Sequence, residues 1–156
     1  MKTSLLLSDI RSLHNVGALF RTADCAGFDR IYLTGITATP PRPEISKTAL
    51  GAENFVPWEY REDVLSLLDE LSARGVKIIG LELSDRSVDY RTFIPEADAE
   101  YCLILGNEID GVSAEVLAKC DTVLEIPMRG KKKSLNVSMT GGILMFRFAE
   151  YRFPMP

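Results

Sequence analysis

The sequence predicts one α/β domain with a mostly parallel sheet flanked by helices, and three observations lead there. Strand-like apolar runs alternate with helix-like segments along the whole chain. The strands read as continuous apolar stretches, such as Leu5-Leu6-Leu7 and Tyr101-Cys102-Leu103-Ile104-Leu105, the pattern of strands covered on both faces. No linker, repeat or low-complexity tract interrupts the 156 residues. A domain of that size buries roughly two thirds of its unfolded surface.

A strand over 5–10 comes first. A helix over 15–26 follows, with Asn15 as N-cap and Gly27 as the stop. Residues 30–34 form the second strand, and Pro40, Pro41 and Pro43 turn the chain into a short helix over 46–50. A brief strand at 55–58 precedes a helix over 63–73, where Val64, Leu67, Leu68 and Leu71 recur at helical spacing. Strands at 76–83 and 101–105 follow, joined by the acidic stretch 85–100 as a surface connection. A helix at 114–119, a strand at 122–126 and a closing helix over 135–151 complete the chain. In that last helix Ile143, Leu144, Met145, Phe146, Phe148 and Tyr151 are apolar on nearly every side, which predicts burial all round. Gly141 and Gly142 each cost it roughly 1 kcal/mol relative to alanine, and close backbone packing would offset that.

Composition narrows the function classes. The net charge of −4 argues against a stand-alone nucleic-acid binder held by bulk charge. A local patch still acts within a screening length of roughly 10 Å. Arg129, Lys131, Lys132 and Lys133 form such a patch, which Arg11, Arg21, Arg42 and Lys47 extend if the fold gathers them. No apolar run reaches the roughly 18 residues that span a bilayer, and Asp9 comes too early for a secretory leader. Cys25, Cys102 and Cys120 are widely spaced, which fits a reducing cytoplasm and small buried side chains. With His14 as the one histidine and no C-x-x-C pair, no metal site is expected. His14 reads as a loop residue, and Trp58 as core or a dimer contact.

Three segments carry chemistry. Residues 126–138 leave a strand at Ile126-Pro127-Met128, pass four cations around Gly130, and enter the last helix through Ser134-Leu135-Asn136-Val137-Ser138. A cationic loop at the carboxyl end of a strand suits a ligand site in an open α/β sheet, or a solvated turn. In the first helix Val16, Leu19, Phe20 and Ala23 share one face. Gly17 and Arg21 lie together elsewhere, leaving open space beside a guanidinium. That place suits a phosphate, a carboxylate or a partner chain, and equally a surface arginine. The third segment is Gly106-Asn107-Glu108-Ile109-Asp110-Gly111-Val112-Ser113. It is not a P-loop, since Val112 stands in the lysine position, nor a dinucleotide fingerprint, since the G-x-G-x-x-G spacing is missing. Glu108 fits two roles there: accepting backbone N–H groups, or taking part in catalysis.

Together these segments resemble the TrmH/SpoU branch of the SPOUT RNA methyltransferases, over nearly the whole chain. The resemblance is carried by Asn15-Val16-Gly17-Ala18-Leu19-Phe20-Arg21, Leu105-Gly106-Asn107-Glu108-Ile109-Asp110-Gly111 and Ile126-Pro127-Met128 through Ser134-Leu135-Asn136-Val137-Ser138. It implies a bare catalytic domain over 1–156 without terminal RNA-binding extensions, a C-terminal deep trefoil knot, and a homodimer. It also implies a cytoplasmic enzyme that transfers a methyl group from S-adenosylmethionine to a ribose 2′-hydroxyl of structured RNA, tRNA or rRNA. Catalytic positions implied are Arg21, Asn15, Glu108, Ser134 and Asn136. Leu83, Gly106, Ile126, Met128 and Leu135 would hold the cofactor, and Arg11, Arg129, Lys131, Lys132 and Lys133 would meet RNA. Two other classes compete: a non-catalytic RNA-binding knotted dimer that keeps the pocket, and a flavodoxin-like enzyme holding another nucleotide.

Overall fold

The computed structural model describes residues 1–154. The strands are β1 (Lys2–Ser8), β2 (Arg30–Thr34), β3 (Trp58–Arg61), β4 (Lys77–Leu81), β5 (Val88–Asp89), β6 (Glu100–Leu105) and β7 (Thr122–Glu125). The helices are α1 (Leu13–Cys25), α2 (Pro43–Ala49), α3 (Val64–Ala73), α4 (Ala114–Ala118) and α5 (Val137–Arg152), with a short 3-10 turn at Ala52–Asn54. The strands form one sheet in the order β3-β2-β1-β6-β4-β7-β5, and each neighbouring pair is parallel.

Successive strand residues point to opposite faces, so the apolar runs feed two cores. Leu5, Leu7, Leu103 and Leu105 pack under α1, α2 and α5 with Phe20, Ile45 and Phe148. Leu6, Cys102 and Ile104 pack on the other face with Leu67, Leu68 and Leu71 of α3 and Val116 of α4. The chain builds outward from β1 to β2 and β3, then crosses to the other side for β4 to β7. That reversal leaves a crevice outside the carboxyl ends of the central strands.

Several expectations move. The stretch 85–100 is not only a surface connection, because Val88 and Asp89 pair with Leu124 and Glu125 and close the sheet edge. The third strand lies at Trp58–Arg61, later than expected, because Ile31 pairs with Trp58. Trp58 stands exposed on that edge strand instead of in the core. Cys102 and Cys120 are buried, and burial pushes their thiols up to about 12 and about 11, whereas Cys25 is exposed. Helix α5 is not buried all round: Leu144, Met145 and Phe148 enter the core, but Met139 and Phe146 stay 61% and 50% exposed. Gly141 is matched to its place, since a Cβ there would sit 2.6 Å from Leu19 and 2.7 Å from Leu105.

The end of α5 is clipped to the start of the sheet. Arg152 donates to both carboxylate oxygens of Asp29 at 2.8 Å, and to Gly27 O at 2.7 Å. Burial raises the Asp29 pKa, but the Arg152 guanidinium and the Thr3 N–H together hold it below the ordinary carboxylate range.

Candidate functional site

A cleft of about 560 Å³ opens at the carboxyl ends of the adjacent strands β6, β4 and β7. The segments after these strands form its walls, and the entry to α5 closes it. Its apolar surface comes from Leu81, Leu83, Leu105, Ile126, Met128 and Leu135, and its polar surface includes Glu82, Glu108, Ser134 and Asn136. Leu83, Gly106, Ile126, Met128 and Leu135, the residues expected to hold a cofactor, all line this one cavity.

The loop after β6 is shaped by its own backbone. A Cβ on Gly106 would lie 2.3 Å from the Gly111 carbonyl, so only glycine lets the loop close on itself. Gly111 has φ +70° and bridges to Asn107. The Asn107 side-chain oxygen accepts from the N–H groups of Ile109 (2.8 Å) and Asp110 (3.2 Å), and its amide donates to Asp9 O at 2.8 Å. Asp9 itself adopts φ 56°, turning the chain between β1 and α1. Glu82, at the end of β4, accepts the Val112 N–H at 2.9 Å and the Leu83 N–H at 3.0 Å. Sequence reasoning missed both. A Gly-Asn pair straight after a strand is a turn signal that points to Asn107. Nothing in the sequence pairs Glu82 with a donor 30 residues away.

Glu108 leaves this loop and reaches the entry to α1. Its carboxylate accepts the N–H groups of Arg11 (2.9 Å) and Ser12 (3.0 Å) and the Asn15 side-chain amide (3.1 Å). Burial pushes its pKa up, but the Arg11 and Ser12 N–H groups, with Asn15, outweigh that and hold it below the ordinary value. The partial positive charge of a helix amino end favours an anion in this place. The expected N-cap is corrected: Ser12, not Asn15, caps α1, and its side chain accepts the Asn15 N–H. That frees the Asn15 side chain, whose oxygen accepts from the Asn136 amide at 3.2 Å. Asn136 caps α5 in turn, accepting the Ser138 N–H at 2.8 Å. One hydrogen-bonded chain thus joins the three sequence segments.

Arg21 stands apart. It is exposed on α1, and among the described residues it makes no hydrogen bond or ion pair and does not line the cleft. Six residues of helix place it about 9 Å along the axis from Asn15. The space expected beside it at Gly17 is filled, since a Cβ there would meet Thr48 Oγ1 at 2.1 Å and Ile45 O at 2.2 Å. Gly17 is the crossing point of α1 and α2. Of the cations, Lys133 lines the cleft, while Arg11, Arg129, Lys131 and Lys132 are exposed outside it. Arg129 also lies near Asp89, whose carboxyl is held down at about 2 by hydrogen bonds from Arg91, with a smaller pull from Arg129. Among the described residues no group of side chains is arranged to hold a metal ion, and no helix is long and apolar enough to cross a membrane.

Comparison with known proteins follows the same residues. The model of the SpoU rRNA methylase family matches residues 2–146. The 23S rRNA (guanosine(2553)-2′-O)-methyltransferase RlmP of Bacillus subtilis is 36% identical over 142 residues, covering 91% of this chain and 56% of its own length. Among solved structures, an AdoMet-bound rRNA methyltransferase from Sinorhizobium meliloti superposes with a TM-score of 0.91 at 29% identity, over 99% of this chain and 57% of that one. The A. aeolicus TrmH/SpoU tRNA modifying enzyme gives 0.86 at 28% identity, over 97% and 75%. The chain spans less than two thirds of the length of the curated relatives it matches. With the family match running across β1 to α5 and through all three walls of the cleft, the chain belongs to the SpoU rRNA methylase family.

Proposed function

We propose that the protein transfers a methyl group from S-adenosylmethionine to a ribose 2′-hydroxyl of tRNA or rRNA. The observation that carries this reading is the joining of Asn15, Glu108 and Asn136 at the rim of one cleft of cofactor size. The cleft fits the cofactor chemically. Leu83, Leu105, Ile126, Met128 and Leu135 offer an apolar slot for an adenine, with backbone groups at its edges. When bound, the cofactor supplies a methyl group on a positively charged sulfur.

This chain's residues have the remaining tasks. Catalysis here is alignment for in-line displacement and management of one proton. Glu108 and Asn15 hold the entry to α1 against the cofactor loop, and Asn136 ties that entry to α5. Ser134 shapes the reacting edge. A guanidinium keeps its proton in proteins, so Arg21 anchors an RNA phosphate and stabilises the developing alkoxide, and the proton leaves to phosphate or water. Because Arg21 lies outside the cleft of its own chain, a second copy completes the site. The exposed Met139 and Phe146 of α5 support such a homodimer. Lys131, Lys132 and Lys133, with Arg11 and Arg129, meet the RNA backbone. The 126–136 loop and α5 are the segment that would form the deep trefoil knot.

The test is incubation with isotope-labelled S-adenosylmethionine and total tRNA and rRNA, followed by nucleoside mass spectrometry. Label in a 2′-O-methyl nucleoside supports the reading. Label confined to bases, or none in any RNA, overturns it.

A further inference from the structure

The cleft carries charge of both signs, unequally shared. Among the described residues four carboxylates line it, Glu82, Glu108, Asp110 and Glu125, against one cation, Lys133. Three of the four carboxylates are engaged. Glu82 accepts the N–H groups of Leu83 and Val112, Glu108 accepts those of Arg11 and Ser12, and Glu125 accepts the Ser87 hydroxyl. Lys133 is exposed and, among the described residues, makes no hydrogen bond or ion pair. Its neighbours Lys131 and Lys132 do not line the cleft.

S-adenosylmethionine also carries charge of both signs. Its sulfonium and α-ammonium are cations, its α-carboxylate is an anion, and its adenosine is neutral. The apolar side chains of Leu83, Ile126, Met128 and Leu135 suit the adenine, which leaves the charged tail to the polar part of the wall. Carboxylates there favour the two cationic groups and oppose the α-carboxylate, since like charges a few ångströms apart repel appreciably near a protein surface. An opposite charge offsets that repulsion, and on this wall Lys133 supplies it. The neutral donors compete poorly. Asn136 is committed, donating to Asn15 and accepting from the Ser138 N–H, and the Ser134 hydroxyl brings no charge.

We propose that Lys133 binds the α-carboxylate of S-adenosylmethionine and so selects a cofactor with its amino-acid tail intact. An ammonium on a flexible stem has three rotatable donors, so it can hold a carboxylate and keep a donor for an RNA phosphate at the mouth of the cleft. This separates Lys133 from Lys131 and Lys132, which lie outside the cleft and have the RNA alone to meet. The assignment rests on the S-adenosylmethionine reading above.

Equilibrium binding to the full chain, without RNA, tests it. S-adenosylmethionine and decarboxylated S-adenosylmethionine are each titrated into the wild type and into Lys133→Ala. The decarboxylated form keeps the adenosine, the sulfonium and the amine, and lacks only the group assigned to Lys133. Lys133→Ala is expected to raise the Kd for S-adenosylmethionine by about 10-fold, the scale of one hydrogen bond to a charged group. Its Kd for the decarboxylated form is expected to stay within about threefold of wild type, which also shows that the cleft is intact in the variant. A Kd for S-adenosylmethionine within about threefold of wild type, or an equal weakening of both ligands, overturns the proposal. A wild type that binds no S-adenosylmethionine overturns the cofactor reading itself, and the role of Lys133 with it.

Discussion

Asn136 donates its side-chain amide to the oxygen of Asn15 at 3.2 Å, across 121 residues of sequence. Asn15 in turn donates its own amide to Glu108 at 3.1 Å. Asn15→Ala removes both bonds at once, leaving Asn136 without an acceptor and Glu108 with its backbone donors alone. Each such bond contributes about 1 kcal/mol. Urea denaturation should therefore show a loss of about 1–2 kcal/mol, and methyl transfer should fall by about 10- to 100-fold.

Glu108 makes this network pH-sensitive. Its folded pKa lies below its ordinary value of about 4.3, so its stabilisation is complete above that value and is lost as pH falls through the folded one. Urea midpoints taken at a series of pH values should drop for the wild type below about pH 4.5. In the same window Glu108→Gln should show a shallower drop from a lower starting point. Equal slopes would mean that Glu108 gains nothing from the α1 entry.

Gly17→Ala tests the crossing of α1 and α2. The added methyl meets Thr48 Oγ1, which a rotamer change relieves, and Ile45 O, which belongs to backbone and must move with the helix. Overpacking of this kind costs about 1–3 kcal/mol. Chemical denaturation is expected to show that loss even though alanine favours helices, whereas a gain in stability would mean that α2 is loosely held.

The cations of the 129–133 loop are expected to act through RNA phosphates. Replacing Lys131 and Lys132 with alanine should weaken binding to different RNA sequences alike. The slope of log affinity against log salt should shrink by about 0.7–0.9 for each phosphate that is no longer neutralised. A fluorescence-anisotropy series in salt measures both. An unchanged slope would place these lysines away from the RNA.

Much of the architecture was legible because it rests on local pattern. Continuous apolar runs announced buried parallel strands, and the spacing from Val64 to Leu71 placed α3 to within a residue. Strand β5 escaped because two residues carry no period, and pairing with β7 alone defines them. The three loops around the cleft were legible as motifs, but their wiring was not. Ser12 displaced Asn15 as the cap because a hydroxyl three residues upstream accepts the same N–H, a choice decided by geometry. Gly17 was read as open space because a sequence cannot show the helix that covers it. Glu82 was silent for the same reason, since a carboxylate's meaning lies in what the fold sets beside it.

The cleft between the ends of β6, β4 and β7 is proposed as the S-adenosylmethionine site. Calorimetric titration of the wild-type protein with S-adenosylmethionine, with FMN as the control, tests that site. Saturable binding of one S-adenosylmethionine per chain and none of FMN is the expected result. No saturable heat with S-adenosylmethionine would mean that the cleft does not hold this cofactor.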